Sequence, residues 1–294
     1  MNVVIGGGSG FIGRHLGRHL MQKGYNVVNV GRKAGKGKLS WDQVEKDGLP
    51  PCKAVINLAG QNLFDPTKRW SEQFVTECFN SRLKTTSLLA EAIVNMSQRP
   101  EAFVCTSATG YYPFSETEEF TESYDGPPAD FVEQLVPKWE ACITLPESHK
   151  NVRTVIIRTG LVFGKDGGMM QQLRIPYYLG VGGVIASGKQ FMPWIHVEDI
   201  VGIFVHAIES DITGILNGTA PHPVTNYEFT KALGAAMWRP TIFTVPEFAV
   251  NLLVGKERAP GLIKGNKVIP QRVLESGYRF KYEDIHSAFK EICN

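Results

Sequence analysis

The chain has 294 residues, 43% hydrophobic and 20% charged, with a net charge of +2 from 31 basic and 29 acidic side chains. That length supports a full core in one large domain or two unequal ones, and the balanced charge leaves no electrostatic footprint for nucleic acid or an anionic membrane. Five scattered cysteines without a C-x-x-C pair argue against a metal or disulfide framework, and no apolar run approaches the ~20 residues of a membrane span. Gly is the oddity: 30 residues, about 10% against a usual ~7%.

The chain opens on a strand-like run, Asn2-Val3-Val4-Ile5, which predicts no leader segment and an intracellular, cytoplasmic protein. Next comes Gly6-Gly7-Gly8-Ser9-Gly10-Phe11-Ile12-Gly13, which contains both G-x-G-x-x-G and G-x-x-G-x-x-G. It lies between that run and an amphipathic helix bearing Phe11, Ile12, Leu16 and Leu20, which is the context such a motif needs. Glycines at Gly7, Gly10 and Gly13 permit a tight turn whose N–H groups approach a pyrophosphate, with Ser9, Phe11 and Ile12 carrying the helix start. The second strand candidate, residues 26–30, ends at Gly31-Arg32-Lys33. An NAD-preferring site places an acid there for the ribose hydroxyls. Arg32 instead suits the 2′-phosphate of NADP, through forked hydrogen bonds.

Further strand candidates follow at residues 54–58, 102–106 and 154–158, each short, apolar and rich in β-branched residues. A long helix is predicted over 72–96, with a polar middle. This alternation predicts an α/β fold, a Rossmann doubly wound parallel sheet. Residues 165–193 hold six glycines and read as a mobile, lid-like insertion with one helix. A helix is expected over 195–209, a short one over 270–276 with Gly277 at its C′ position, a strand over 278–282, and a closing helix after Asp284. The expected division is 1–218 for the cofactor domain and 219–294 for a smaller C-terminal substrate-capping region, with a ligand crevice between them.

Together with the Gly fingerprint, Asn57-Leu58-Ala59-Gly60 resembles the extended or atypical short-chain dehydrogenase/reductase superfamily. Lys68-Arg69-Trp70, Ser81-Arg82, Thr85-Thr86, the stretch from Gln190 to Asp199, Gly214-Ile215-Leu216-Asn217 and the closing Ile269-Pro270-Gln271-Arg272 narrow the resemblance. They are similar to the NADP-binding epimerase family of the cell-division-inhibitor-like type, over essentially the whole chain. The resemblance implies cofactor contacts at Leu58 and Ala59, at Glu77 and Arg82 on the long helix, and at Gly160 near the nicotinamide.

The same superfamily works with Ser or Thr, Tyr and Lys, the Tyr acting as general acid and base. Ser107 takes the Ser role by resemblance. The Tyr-x-x-x-Lys helix should follow Pro127-Pro128, yet the two positions fall at Val132 and Val136 and the pair is missing. Tyr227 with Lys231 has the spacing but lies beyond the core and reads as chance; Tyr111, Tyr112 and Lys138 are substitutes that the sequence does not choose between. His196 reads as structural, with Asp199 near a helix start. The expected function is an NADP-dependent oxidoreductase or epimerase acting on a small hydroxylated metabolite such as a nucleotide-linked sugar. The alternative is an NADP(H)-binding sensor or scaffold that has lost catalysis. No metal is expected, and a homo-oligomer is compatible with the sequence.

Overall fold

The computed structural model describes residues 1–63, 65, 68, 70–129 and 134–294. Arg69 and Val132 lie outside them. Seven strands form the main sheet: β1 (Asn2–Gly6), β2 (Asn26–Gly31), β3 (Lys38–Ser40), β4 (Ala54–Asn57), β5 (Ala102–Ala108), β6 (Arg153–Thr159) and β7 (Gly214–Gly218). Their order across the sheet is β7-β6-β5-β4-β1-β2-β3, and every pairing is parallel. The order reverses between β1 and β4, so the carboxyl ends of those two strands open a crevice.

Alternation along the strands explains why both faces are covered. Val3, Ile5, Ala54, Ile56 and Val104 join one core with helices α1 (Phe11–Gln22) and α6 (Val197–Glu209). Val4, Val55, Phe103 and Cys105 join the opposite core with α2 (Trp41–Asp47) and α3 (Glu72–Val94). Side chains alternate faces along a strand, so a sheet covered on both sides reads as a continuous apolar run. Each fully buried Val or Ile there contributes ~1.5–3 kcal/mol. α3 starts where the Ser71 hydroxyl accepts from Phe74 N, and buries Phe74, Cys78, Leu89 and Ile93 on one stripe.

Beyond β6 the chain builds a second, smaller core. Phe163, Trp194, Phe229 and Phe289 meet there, drawn from residues 161–194 and from the C-terminal helices α7 (Asn226–Ala236) and α11 (Ile285–Cys293). Residues 165–193 contain helix α5 (Met170–Tyr178) and several two-residue strands. Residues 219–294 divide between the cores, since Val273 and Phe280 return to the main one. The expected strand over 278–282 is absent. The backbone N–H groups of Lys281 and Tyr282 donate to the Asp199 carboxylate at 2.7 and 2.9 Å. Tyr278 and Phe280 turn instead into the core, edge to face at 5.0 Å. Asp284 caps α11 as expected, accepting from His286 N and Ser287 N. The helix expected from 195 begins at Val197, because Trp194–His196 pairs as a strand with Leu161–Phe163.

Candidate functional site

The Gly loop leaves β1 at the reversal point of the sheet. Gly7 has φ of 75°, and a β-carbon there would lie 2.8 Å from Ala59 N. A β-carbon on Gly13 would lie 2.6 Å from Gly8 Cα. These contacts are backbone on backbone, so the loop can close only with Gly at both positions. Gly10 is the N-cap of α1 and supplies no side-chain acceptor, and the first turn holds no acid. The opening N–H groups of α1 are therefore free to receive an anion. Phe11 lies edge to face with His15 at 5.2 Å, and Ile12 packs on the main core. Ser9 is exposed beside them.

An open cleft of about 870 Å³ runs from this loop past the end of β2. Arg14, Arg18, Arg32, Lys33 and Lys38 line it, with no acidic side chain among the described residues. Gly31 leaves it open, since a β-carbon there would meet nothing within 4 Å. Asn29 Oδ1 is buried on the cleft with no hydrogen-bond partner among the described residues. Burying such an acceptor unpaired is costly. A polyanion whose body also carries hydroxyl or amide donors satisfies both the cations and this oxygen, which is the chemistry of a phosphorylated dinucleotide.

Leu58 and Ala59 leave β4 beside the loop, Leu58 N donating to Gly6 O at 2.8 Å. Buried Asn57 fixes the turn: its Oδ1 accepts from Ala59 N at 3.0 Å, and its Nδ2 donates to Thr86 Oγ1 at 2.8 Å. Arg82 lies against Gly60, over the Trp139 ring, and donates to Cys78 O at 3.1 Å. Burial lowers its pKa. Ser81 Oγ accepts from Gln61 N at 2.9 Å, so α3 holds the loop after Gly60. Glu77, by contrast, is exposed and accepts from Gln73 one turn earlier at 3.2 Å.

The Ser107 end of the crevice is built differently. Ser107 and Arg158 are register neighbours on β5 and β6. Ser107 Oγ donates to Glu140 Oε1 at 2.6 Å, and Arg158 donates to both oxygens of the same carboxylate at 2.9 and 2.8 Å. Glu140 reaches them from α4 (Leu135–Ala141). Arg158 is 2% exposed, and its guanidinium lies 3.4 Å from the centroid of the Tyr111 ring. Burial works against its charge, but the bonds and charge of Glu140 prevail and raise its pKa above the usual arginine value. Arg158 Nη1 is buried without a partner among the described residues.

The three substitutes for the missing pair now separate. Tyr112 is fully buried, its hydroxyl donated to Asn217 Oδ1 at 2.8 Å and its pKa raised by that burial. Lys138 is exposed, over the ring of Phe79. Tyr111 alone is part-exposed beside the Ser107 cluster. Val136 is buried and apolar. Lys231 Nζ donates to Thr241 O at 2.7 Å, far from this network in the C-terminal core region. His196 caps α6, its Nδ1 accepting from Glu198 N at 3.2 Å. Gly160 follows β6, where a β-carbon would lie 2.4 Å from Pro193 O. Its need for Gly thus comes from the adjacent backbone at Pro193.

Gly7, Gly31, Leu58, Ala59, Ser107 and Gly160 therefore share the carboxyl edge of the sheet, while Glu77 is exposed near the start of α3. Sequence reasoning passed over the Glu140–Arg158 pair. Its signal was a lone cation at the end of the apolar run 154–158, because a charge placed among buried strands needs a buried partner.

A parallel sheet in this order, with a glycine loop at its reversal point, defines a dinucleotide-binding Rossmann protein of the short-chain dehydrogenase/reductase class. Residues 3–217 match the NAD dependent epimerase/dehydratase family, and 245–292 match a domain of unknown function, DUF1731. Human epimerase family protein SDR39U1 is 45% identical over 293 residues, covering 99% of each chain. The crystal structure of that human protein (isoform 2) with NADPH superposes with a TM-score of 0.95 at 44% identity, covering 100% of this chain and 99% of the other. A nucleoside-diphosphate sugar epimerase from Corynebacterium glutamicum gives 0.79 at 27% identity, covering 99% of this chain and 58% of that one. The chain belongs to the NAD-dependent epimerase/dehydratase family.

Proposed function

We propose that the chain binds NADP(H) along the carboxyl edge of the sheet and acts as an oxidoreductase or epimerase on a small hydroxylated metabolite, with nucleotide-linked sugars the first class to test. The cationic cleft carries the cofactor choice: Arg32 and Lys33 stand where an NAD site needs a carboxylate, with Arg14, Arg18 and Lys38 around the same space. The NADPH bound by the human relative supports the same reading. Gly7, Ser9, Gly10 and Gly13, with the backbone of Phe11 and Ile12, hold the pyrophosphate, and Gly31 admits the ribose phosphate. Leu58 and Ala59 support the adenosine side, Arg82 orients the loop at Gly60, and Gly160 lies on the nicotinamide side. Glu77 is exposed on α3 and is bonded to Gln73 rather than to the loop.

The cofactor supplies reversible hydride transfer at a substrate carbon. Ser107 donates its hydroxyl hydrogen bond to Glu140, so its free lone pairs accept a hydrogen bond from a substrate hydroxyl. Glu140 and Arg158 are positioning residues that fix that hydroxyl. Tyr111 is the group left to exchange a proton with the substrate oxygen. Product analysis after incubation with NADPH or NADP and a set of nucleotide-linked sugars tests the reaction, because an epimerase regenerates its cofactor. Activity surviving Ser107→Ala would remove Ser107 from the reaction.

A second reading has its own observation. Val136 occupies the Lys position, and the Ser107 hydroxyl is already engaged. A protein that binds NADP(H) tightly and turns over no substrate in the product screen is a sensor or scaffold.

A further inference from the structure

We infer that the substrate carries a carboxylate and that Arg258, from the C-terminal region, receives it across the strand ends of β4 and β5. This rests on the chain being the NADP(H)-dependent enzyme proposed above, and it adds a chemical class to the substrate. Arg258 lies between helix α8 (Glu247–Val254) and helix α9 (Pro260–Ile263). It is 7% exposed, and its Nε and Nη2 are buried with no hydrogen-bond partner among the described residues. None of the ion pairs among those residues includes it. An arginine keeps its charge even when buried, so donors left open in this way are costly.

Two anchors place this side chain over the crevice. Its guanidinium lies 5.1 Å from the centroid of the Trp70 ring and 5.2 Å from that of Phe74. Phe74 is in the first turn of α3, which follows β4 in a parallel sheet and so starts at its carboxyl edge. Beyond α9, Asn266 Nδ2 donates to Thr109 O and Tyr112 O, both at 3.1 Å, just after β5. Residues 258–266 therefore span the edge from the start of α3 to the end of β5, on the side of Ser107. The glycine loop and Arg32 lie on the other side, at β1 and β2. The anion that completes Arg258 is thus distinct from the phosphates of the cofactor.

The open edge names the ligand chemistry. Nε and Nη2 form one flat side of the guanidinium, which matches two coplanar oxygens. Arg158 uses the same pair of atoms on Glu140, at 2.9 and 2.8 Å. Arg158 finds its carboxylate within the chain, and Arg258 does not. The rings of Trp70 and Phe74 attract the cation without offering it two oxygens. Burial raises the pKa of the Cys78 thiol, and the charges of Arg82 and Arg258 both oppose that rise. Glu77 acts the other way, but it is exposed and bonded to Gln73. One free guanidinium edge balances one carboxylate, whereas a diphosphate would bury further negative charge beside it. A hydroxyl held at Ser107 and a carboxylate held at Arg258 together describe a hydroxy acid or a sugar acid.

Titration calorimetry on the full chain loaded with NADPH tests the inference. The probes are D-glucuronate and L-malate, hydroxylated carboxylates of two sizes, with D-glucose as the neutral control and UDP as the phosphoryl one. A carboxylate probe is expected to bind and glucose to give no heat. Arg258→Met should weaken that probe about 10–100-fold, the worth of a charge-assisted pair, and Arg258→Lys, which keeps the charge and loses the flat edge, by less. Without ligand, the urea midpoint of Arg258→Met should hold or rise, because the substitution removes an unpaired buried cation. A fall would make Arg258 structural and overturn the inference. So would a wild-type chain that binds neither carboxylate, or one that binds it equally well as Arg258→Met. UDP binding lost in Arg258→Met would overturn it in favour of a phosphoryl group. NADPH affinity, read by fluorescence on the same samples, should be the same in all three chains. A wild-type chain that bound no NADPH would overturn the enzyme reading and this inference with it, whereas every other adverse result leaves that reading standing.

Discussion

The two ends of the crevice treat charge in opposite ways. At the Gly31 end, among the described residues, five cations line an open cleft that holds no acid, and a buried carbonyl oxygen on Asn29 has no partner. At the Ser107 end, a cation, a carboxylate and a hydroxyl bond to one another inside the fold, with only Arg158 Nη1 left over among the described residues. The first arrangement is incomplete until an anion arrives. The second holds together in its absence. A binding site shows itself through groups left open, whereas positioning groups show themselves through closed bonds. The contrast explains why the cofactor end is easier to read than the reacting end.

The largest effect should come from opening the closed end. Glu140→Ala leaves Arg158, 2% exposed, without its carboxylate. Breaking such a buried pair costs ~3–5 kcal/mol. The urea midpoint should fall accordingly, while Glu140→Gln, which keeps an acceptor for Arg158, should fall less. Equal stability of Glu140→Ala and wild type would mean that the pair is not what holds β6 to α4. At the open end the effect should appear in binding and leave folding alone. Arg32→Ala should weaken NADPH by ~10–100-fold, the worth of a charge-assisted hydrogen bond, and leave NADH unchanged. Fluorescence titration of both cofactors measures it. Equal affinity of the wild-type chain for NADPH and NADH would remove the 2′-phosphate role from Arg32.

Much of this was legible in the sequence, for identifiable reasons. β1, β4 and β5 are apolar on both faces, so their runs stand out; the glycines of the loop are forced by backbone contacts and have no cheaper substitute. β7 was harder, because it begins and ends with Gly and carries Asn217. Its burial depends on Tyr112, Glu122 and Ile269, which are remote in sequence. The alternation at 278–282 imitates a strand, yet the partner is one carboxylate on α6. Glu140 and Arg158 are 18 residues apart and no spacing rule joins them. Ser107 was found through resemblance, and its bond to Glu140 only through the fold.

A smaller effect separates the junction at His196 from both ends. Burial lowers the His196 pKa below its ordinary value, and the bond to Glu291 opposes without reversing this. The unfolded chain therefore binds the proton first as pH falls. Stability is full above the unfolded value near ~6.5 and declines below it toward the folded value. His196→Asn retains a capping acceptor but does not titrate. Between pH 7 and 5.5 its urea midpoint should change less than that of the wild type. Asp199 does not mimic the result, since burial raises its pKa and its protonation favours the folded state as pH falls.

The smallest expected effect bears directly on which part of α3 belongs to the cofactor end. Arg82 lies against Gly60 and faces the loop, whereas Glu77, five positions earlier, is exposed and bonded to Gln73. Five residues turn a helix by about 140°, so the two side chains cannot serve one ligand from the same face. Glu77→Ala should change NADPH affinity less than about twofold, the range of a solvent-exposed charge. Arg82→Ala should weaken binding measurably, through the loop that its guanidinium holds. A Glu77 variant that lost as much affinity as the Arg82 variant would place the cofactor across the outer face of α3, and the boundary between the open and closed ends would have to move with it.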